Sequence, residues 1–116
     1  MKKYLFIPLL PFLLFACQAT KIEEKIPSDV LPEDKMVQVM IDVQLLESSF
    51  TQKHLPHDSA VFLYSLYEKD LFKKHQITDS TYWKSFKYYS ARPIIMDKIY
   101  ERVVDSLSLR EEQKRL

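Results

Sequence analysis

Apolar residues recur at steps of three and four along most of the chain from residue 32 onward, which is helical rather than strand periodicity. Pro32-Glu33-Asp34 opens the first predicted helix, with proline in the first turn and acidic residues facing the positive end of the dipole. Val37, Met40, Ile41 and Leu45 form its stripe, widened by Met36, Val43 and Leu46, and it runs to about Thr51. His54-Leu55-Pro56-His57-Asp58 reads as a loop, with Asp58 or Ser59 capping a second helix. That helix carries Val61, Phe62, Leu63, Leu66, Tyr67, Leu71 and Phe72, and ends on Lys73, Lys74 and His75. Thr78 caps a third helix with Tyr82, Trp83, Phe86 and Tyr89. Pro93 disfavours helical geometry at Arg92 and suits the first turn of a fourth helix with Ile95, Met96, Ile99, Tyr100, Val103 and Leu107. The charged segment 109–116 is expected to fray. The pattern predicts an all-α protein, a small antiparallel bundle of three to four helices over residues 32–108.

A different pattern precedes the bundle. Lys2 and Lys3 lead into the uncharged apolar run Leu5–Ala16. Twelve residues are too few to cross a bilayer as a helix, which takes about 20. The length suits a secretory signal peptide over residues 1–16. It ends in Leu14-Phe15-Ala16-Cys17, which resembles the recognition sequence of lipoprotein signal peptidase, with Phe15 bulkier than the usual occupant. Cys17 is the single cysteine, so its thiol has no disulfide partner within the chain and is the expected site of lipidation. Acyl chains contribute about 0.8 kcal/mol per buried CH₂, so two or three of them hold a protein on a membrane durably. Residues 17–31 lack helical periodicity, contain Pro27 and read as a lipidated N-terminus and flexible linker. Fourteen linker residues reach at most about 45 Å. No aspartate follows Cys17 directly, and the expected location is the periplasmic face of the outer membrane.

Composition narrows the chemistry. The chain contains neither glycine nor asparagine. Glycine-rich phosphate loops, nucleophile elbows and Asn-Gly hairpins are therefore excluded. The formal charge is +1, and beyond residue 16 the chain has 15 basic and 16 acidic residues, which gives no general attraction to nucleic acid.

Several side chains invite a functional reading. His54, His57 and Asp58 contain metal-ligand types, but Pro56 blocks a regular helical spacing, so a solvated loop is expected and no metal. His75 is expected to complement the dipole of the second helix. Asp42 and Glu47, five apart on one helix, diverge by about 140° and do not form an acid–base pair. Asp42 is expected to accept hydrogen bonds from tyrosines of the third or fourth helix, or to join a binding surface. Tyr82, Trp83, Tyr88, Tyr89 and Tyr100 are the densest aromatic set and the candidate partner-binding residues. Adjacent members of Tyr82-Trp83 and of Tyr88-Tyr89 cannot both face inward, so one of each pair should be partly exposed.

Residues Pro32 to Leu107 resemble a family of small Bacteroidota lipoproteins known as domain of unknown function 4296. The resemblance lies in Pro32-Glu33-Asp34-Lys35-Met36-Val37, Ile41-Asp42-Val43-Gln44-Leu45-Leu46-Glu47, Leu71-Phe72-Lys73-Lys74-His75-Gln76-Ile77-Thr78 and Ser85-Phe86-Lys87-Tyr88-Tyr89, with Tyr67-Glu68, Pro93 and Ile99-Tyr100-Glu101-Arg102-Val103. It implies a helical, lipid-anchored envelope protein and no particular reaction. Family members often carry histidine at the position of Gln44, where with Glu47 it could ligate metal; glutamine here removes that ligand. These observations favour a non-catalytic interaction or accessory module of an envelope complex, without a cofactor. The alternatives are a chaperone-like or lipid-handling helical domain, and an enzyme of unidentified type.

Overall fold

The computed structural model describes residues 24–116, so the expected signal peptide, Cys17 and the start of the linker lie outside the described residues. Four helices follow in order: α1 (Glu33–Thr51), α2 (His57–Lys74), α3 (Asp79–Ser90) and α4 (Pro93–Arg115). The expected all-α bundle is present, and no strand occurs among the described residues.

α1 is the central helix. Six of its eight residues from Met36 to Val43 are buried, all but Gln38 and Asp42, so its first half is enclosed on most sides. α2 folds back antiparallel along its second half: Phe50 meets the rings of Tyr64 and Tyr67 while Asp42 meets His75. α3 continues in the same direction along the first half of α1 and ends beside its start, where Tyr89 contacts Leu31. α4 reverses from α3 and returns alongside α1 in the same sense as α1. Asp34 pairs with Arg102 near one end, and Gln44, Ser48 and Gln52 share a groove with Leu107, Arg110 and Lys114 toward the other. The core joins Met36, Val39, Met40 and Val43 to Phe72, Tyr82, Tyr89, Met96, Ile99 and Val103.

Local signals explain the helix ends. Thr78 Oγ1 accepts the amide of Thr81 at 3.1 Å, as its capping role predicts. Neither Asp58 nor Ser59 caps α2; Pro56 does so without a side-chain bond, and Asp58 instead sits in the first turn near the dipole's positive end. α2 stops through a Schellman motif: the amide of Ile77 donates to Phe72 O at 3.0 Å and that of Gln76 to Lys73 O at 3.0 Å. The motif requires left-handed backbone, and Gln76 adopts φ 57° there because the chain has no glycine to offer. Gln76→Gly is therefore expected to stabilise the domain by about 0.5–1 kcal/mol, read as a higher denaturation midpoint. A lower midpoint would show that the glutamine side chain contributes something the backbone argument omits.

Two boundaries differ from the sequence reading. Residues 109–116 do not form a separate frayed tail: α4 continues to Arg115. Leu, Arg, Glu, Gln and Lys are all strong helix formers, Glu111 and Arg115 stand at the favourable i, i+4 spacing, and Lys114 and Arg115 suit a C-terminus. The linker does not extend to Leu31 either. Val30 and Leu31 are buried in the core with Ile26 packed against it, after a turn closed by the Val30 amide on Pro27 O at 3.1 Å. This strap, residues 26–31, buries two side chains and has no period to reveal it.

Candidate functional site

The strap lies across α3, which holds it with side chains one helical turn apart. Ser85 and Tyr89, at i and i+4, face the same way. Ser85 Oγ accepts the Leu31 amide at 2.8 Å and donates to Thr81 O at 2.7 Å, and the Tyr89 hydroxyl donates to Leu31 O at 2.6 Å. Both backbone polar groups of a buried residue are thus satisfied by one helix, which a strand or helix partner would otherwise have to do. Flanking charges extend the grip. Lys84 pairs with Asp29, and Arg92 donates twice to Glu24, from Nε at 3.0 Å and Nη2 at 2.6 Å. The Arg92 guanidinium also lies 3.7 Å from the centroid of the Tyr88 ring and donates to Tyr88 O. Its hydrogen bonds hold the Glu24 carboxyl below the usual carboxylate range.

Asp42 accepts from His75 Nε2 at 2.8 Å, with Lys74 Nζ at 3.8 Å. The donor is therefore the C-cap residue of α2 and not a tyrosine of the third or fourth helix. His75 does stand at the helix end as its dipole role requires, but its ring also ties α2 to α1. Glu47 is exposed and separate from Asp42; its charge acts instead on Tyr64 and Tyr82. Burial keeps the Glu68 carboxyl above its ordinary range and pushes the Tyr64 hydroxyl well up. His54 and His57 are exposed, and no group of three or more metal-ligand residues gathers among the described residues.

The candidate aromatic patch divides. Tyr82 and Tyr89 belong to the core, so these two are packing residues and not part of an exposed partner surface. The neighbour rule holds: Trp83 is 50% exposed, with its indole N–H on Asp79 at 3.1 Å, and Tyr88 is half-buried beneath Arg92. Tyr100 is exposed.

Burial pushes both Tyr82 and Tyr89 up to about 12, against about 10 in an unfolded chain. Their neutral forms are favoured in the folded state, so their contribution is complete below pH 10 and is lost as pH rises toward 12. Alkaline titration should show tyrosinate absorbance appearing together with loss of helical circular dichroism in that window. Tyrosinate formation with the helices intact would contradict the burial.

One open surface was not anticipated. α2 has a single buried residue, Phe72, yet it exposes Val61, Phe62, Leu66 and Tyr67 within seven positions, and Phe62 is 63% exposed. Its apolar residues on every side were visible in the sequence and could have marked it, because such a helix is normally covered all round. The grooves elsewhere are shallow. The groove between α1 and α4, about 650 Å³, is lined by Gln44, Leu45, Ser48, Arg110 and Glu111, without convergent acid–base groups.

The sequence model of the family "Domain of unknown function (DUF4296)" matches residues 27–113. The chain belongs to this family. The match begins at Pro27, within the strap, so the strap is part of the DUF4296 domain together with the four helices. No curated protein and no solved structure shows significant similarity to the chain.

Proposed function

We propose that this DUF4296 protein is a lipid-anchored interaction module of the bacterial envelope, acting by binding and not by catalysis. The observation that carries the binding role is α2, whose outward side keeps large apolar residues in solvent while the first half of α1 is enclosed. The anchor reading rests on Leu14-Phe15-Ala16-Cys17 and its preceding apolar run. The strap shortens the reach of such an anchor. Glu24, already bonded to Arg92, is seven residues from Cys17, so it stands no more than about 25 Å from the lipid attachment point. No described helix is long and apolar enough to cross a membrane.

Photocrosslinking in intact cells tests the reading directly. A photoreactive residue at position 62 of the full chain should give discrete heavier adducts in the membrane fraction. Cys17→Ser should move the protein out of that fraction. Uncrosslinked monomer alone would end the binding role, and an unchanged membrane fraction would end the anchor.

A further inference from the structure

α2 turns one face to α1 and an unrelated one to solvent. Tyr64, Glu68, Leu71, Phe72 and His75 occupy the inward side and are buried or half-buried. Ser59, Phe62, Leu66, Lys69 and Lys73 are all exposed. They follow one another at intervals of three, four, three and four, which keeps them on a single line about 180° from the inward row. Intervals of that kind form the seam along which two helices pack side by side.

We propose that this line is a self-association surface, on which α2 of one copy packs antiparallel against α2 of a second copy about a twofold axis level with Tyr64. Phe62 of each copy then covers Leu66 of the other, so the two most prominent apolar residues of the line are both removed from water. The charges specify the occupant. α2 carries Asp58 in its first turn and Lys73 and Lys74 in its last, with Lys69 one turn before them. An antiparallel second copy brings Asp58 beside Lys69 of the other chain, twice by symmetry, and opposes the two helix dipoles. A parallel copy in register would instead set Asp58, Lys69 and Lys73 each beside its own like charge.

This inference rests on the interaction reading and names the partner. Two full-length copies with different epitope tags are co-expressed, each with a photoreactive residue at position 66. The expected adduct has twice the chain mass and carries both tags. Asp58→Lys should reduce it about tenfold through two lost ion pairs and the new like-charge contacts, and Asp58→Lys with Lys69→Asp should restore it. These residues are exposed, so circular dichroism of each variant should match the parent. Adducts that carry one tag and a different protein overturn self-pairing and leave the interaction reading standing. A folded protein without any adduct overturns both. A doubly tagged adduct insensitive to the charge exchange overturns the antiparallel arrangement.

Discussion

Tyr89→Ala is expected to cost about 3–5 kcal/mol, the range for removing a large aromatic side chain from a packed core. Tyr89 is fully buried, and its ring contacts Tyr88 at 5.2 Å between centroids. Tyr89→Phe separates the ring from the hydroxyl. It leaves the buried Leu31 carbonyl without its 2.6 Å donor, which costs about 1–3 kcal/mol. A domain of this size has a total stability of about 5–15 kcal/mol. The alanine variant should therefore be partly unfolded near body temperature, while the phenylalanine variant folds with a lowered midpoint in urea. Equal effects of the two substitutions would mean that the hydroxyl contributes nothing and that the clamp is incidental to ring packing.

A chain that begins at Pro32 should lose about 2–4 kcal/mol, whereas one that begins at Glu24 should match the parent. Burying Val30 and Leu31 contributes about 1.5–3 kcal/mol each, and the helix surface they cover adds to it. Ordering of the strap's backbone offsets part of that gain. For a domain under 100 residues each kcal/mol corresponds to about 4–8 °C in Tm, so the drop is large enough to read by thermal denaturation. The two predictions interlock. Tyr89→Phe in the chain beginning at Pro32 should cost almost nothing, because the carbonyl it served is gone. If the shorter chain melts with the longer one, residues 24–31 are a passive linker after all.

The helices were legible because each depends on signals carried by its own residues. Pro32, Thr78 and Pro93 mark starts to within a residue, and the stripes of α1, α3 and α4 include core members Met40, Tyr82 and Ile99. The exposure of one residue in each aromatic pair followed from helical geometry alone. The site was harder to read. Ser85-Phe86-Lys87-Tyr88-Tyr89 stood in the family pattern, but nothing local says that Ser85 and Tyr89 will meet a backbone 54 and 58 residues earlier. Asp42 was expected to accept hydrogen bonds from a tyrosine or to join a binding surface, yet its donor is His75, 33 residues away. Nor does the sequence say which apolar residues of α2 face solvent, as Val61, Phe62, Leu66 and Tyr67 do.

Taken by itself, the sequence determined the all-helical class, most helix starts, the absence of glycine-dependent chemistry, and the family. Periodicity, capping and composition act within a few residues of one another, so a linear reading captures them. Tertiary structure alone decided that the strap is part of the domain, that Tyr82 and Tyr89 are core, and that one side of α2 stays bare. Those outcomes depend on which surfaces meet when α2 and α3 share the length of α1, and burial on that scale belongs to the packed chain as a whole.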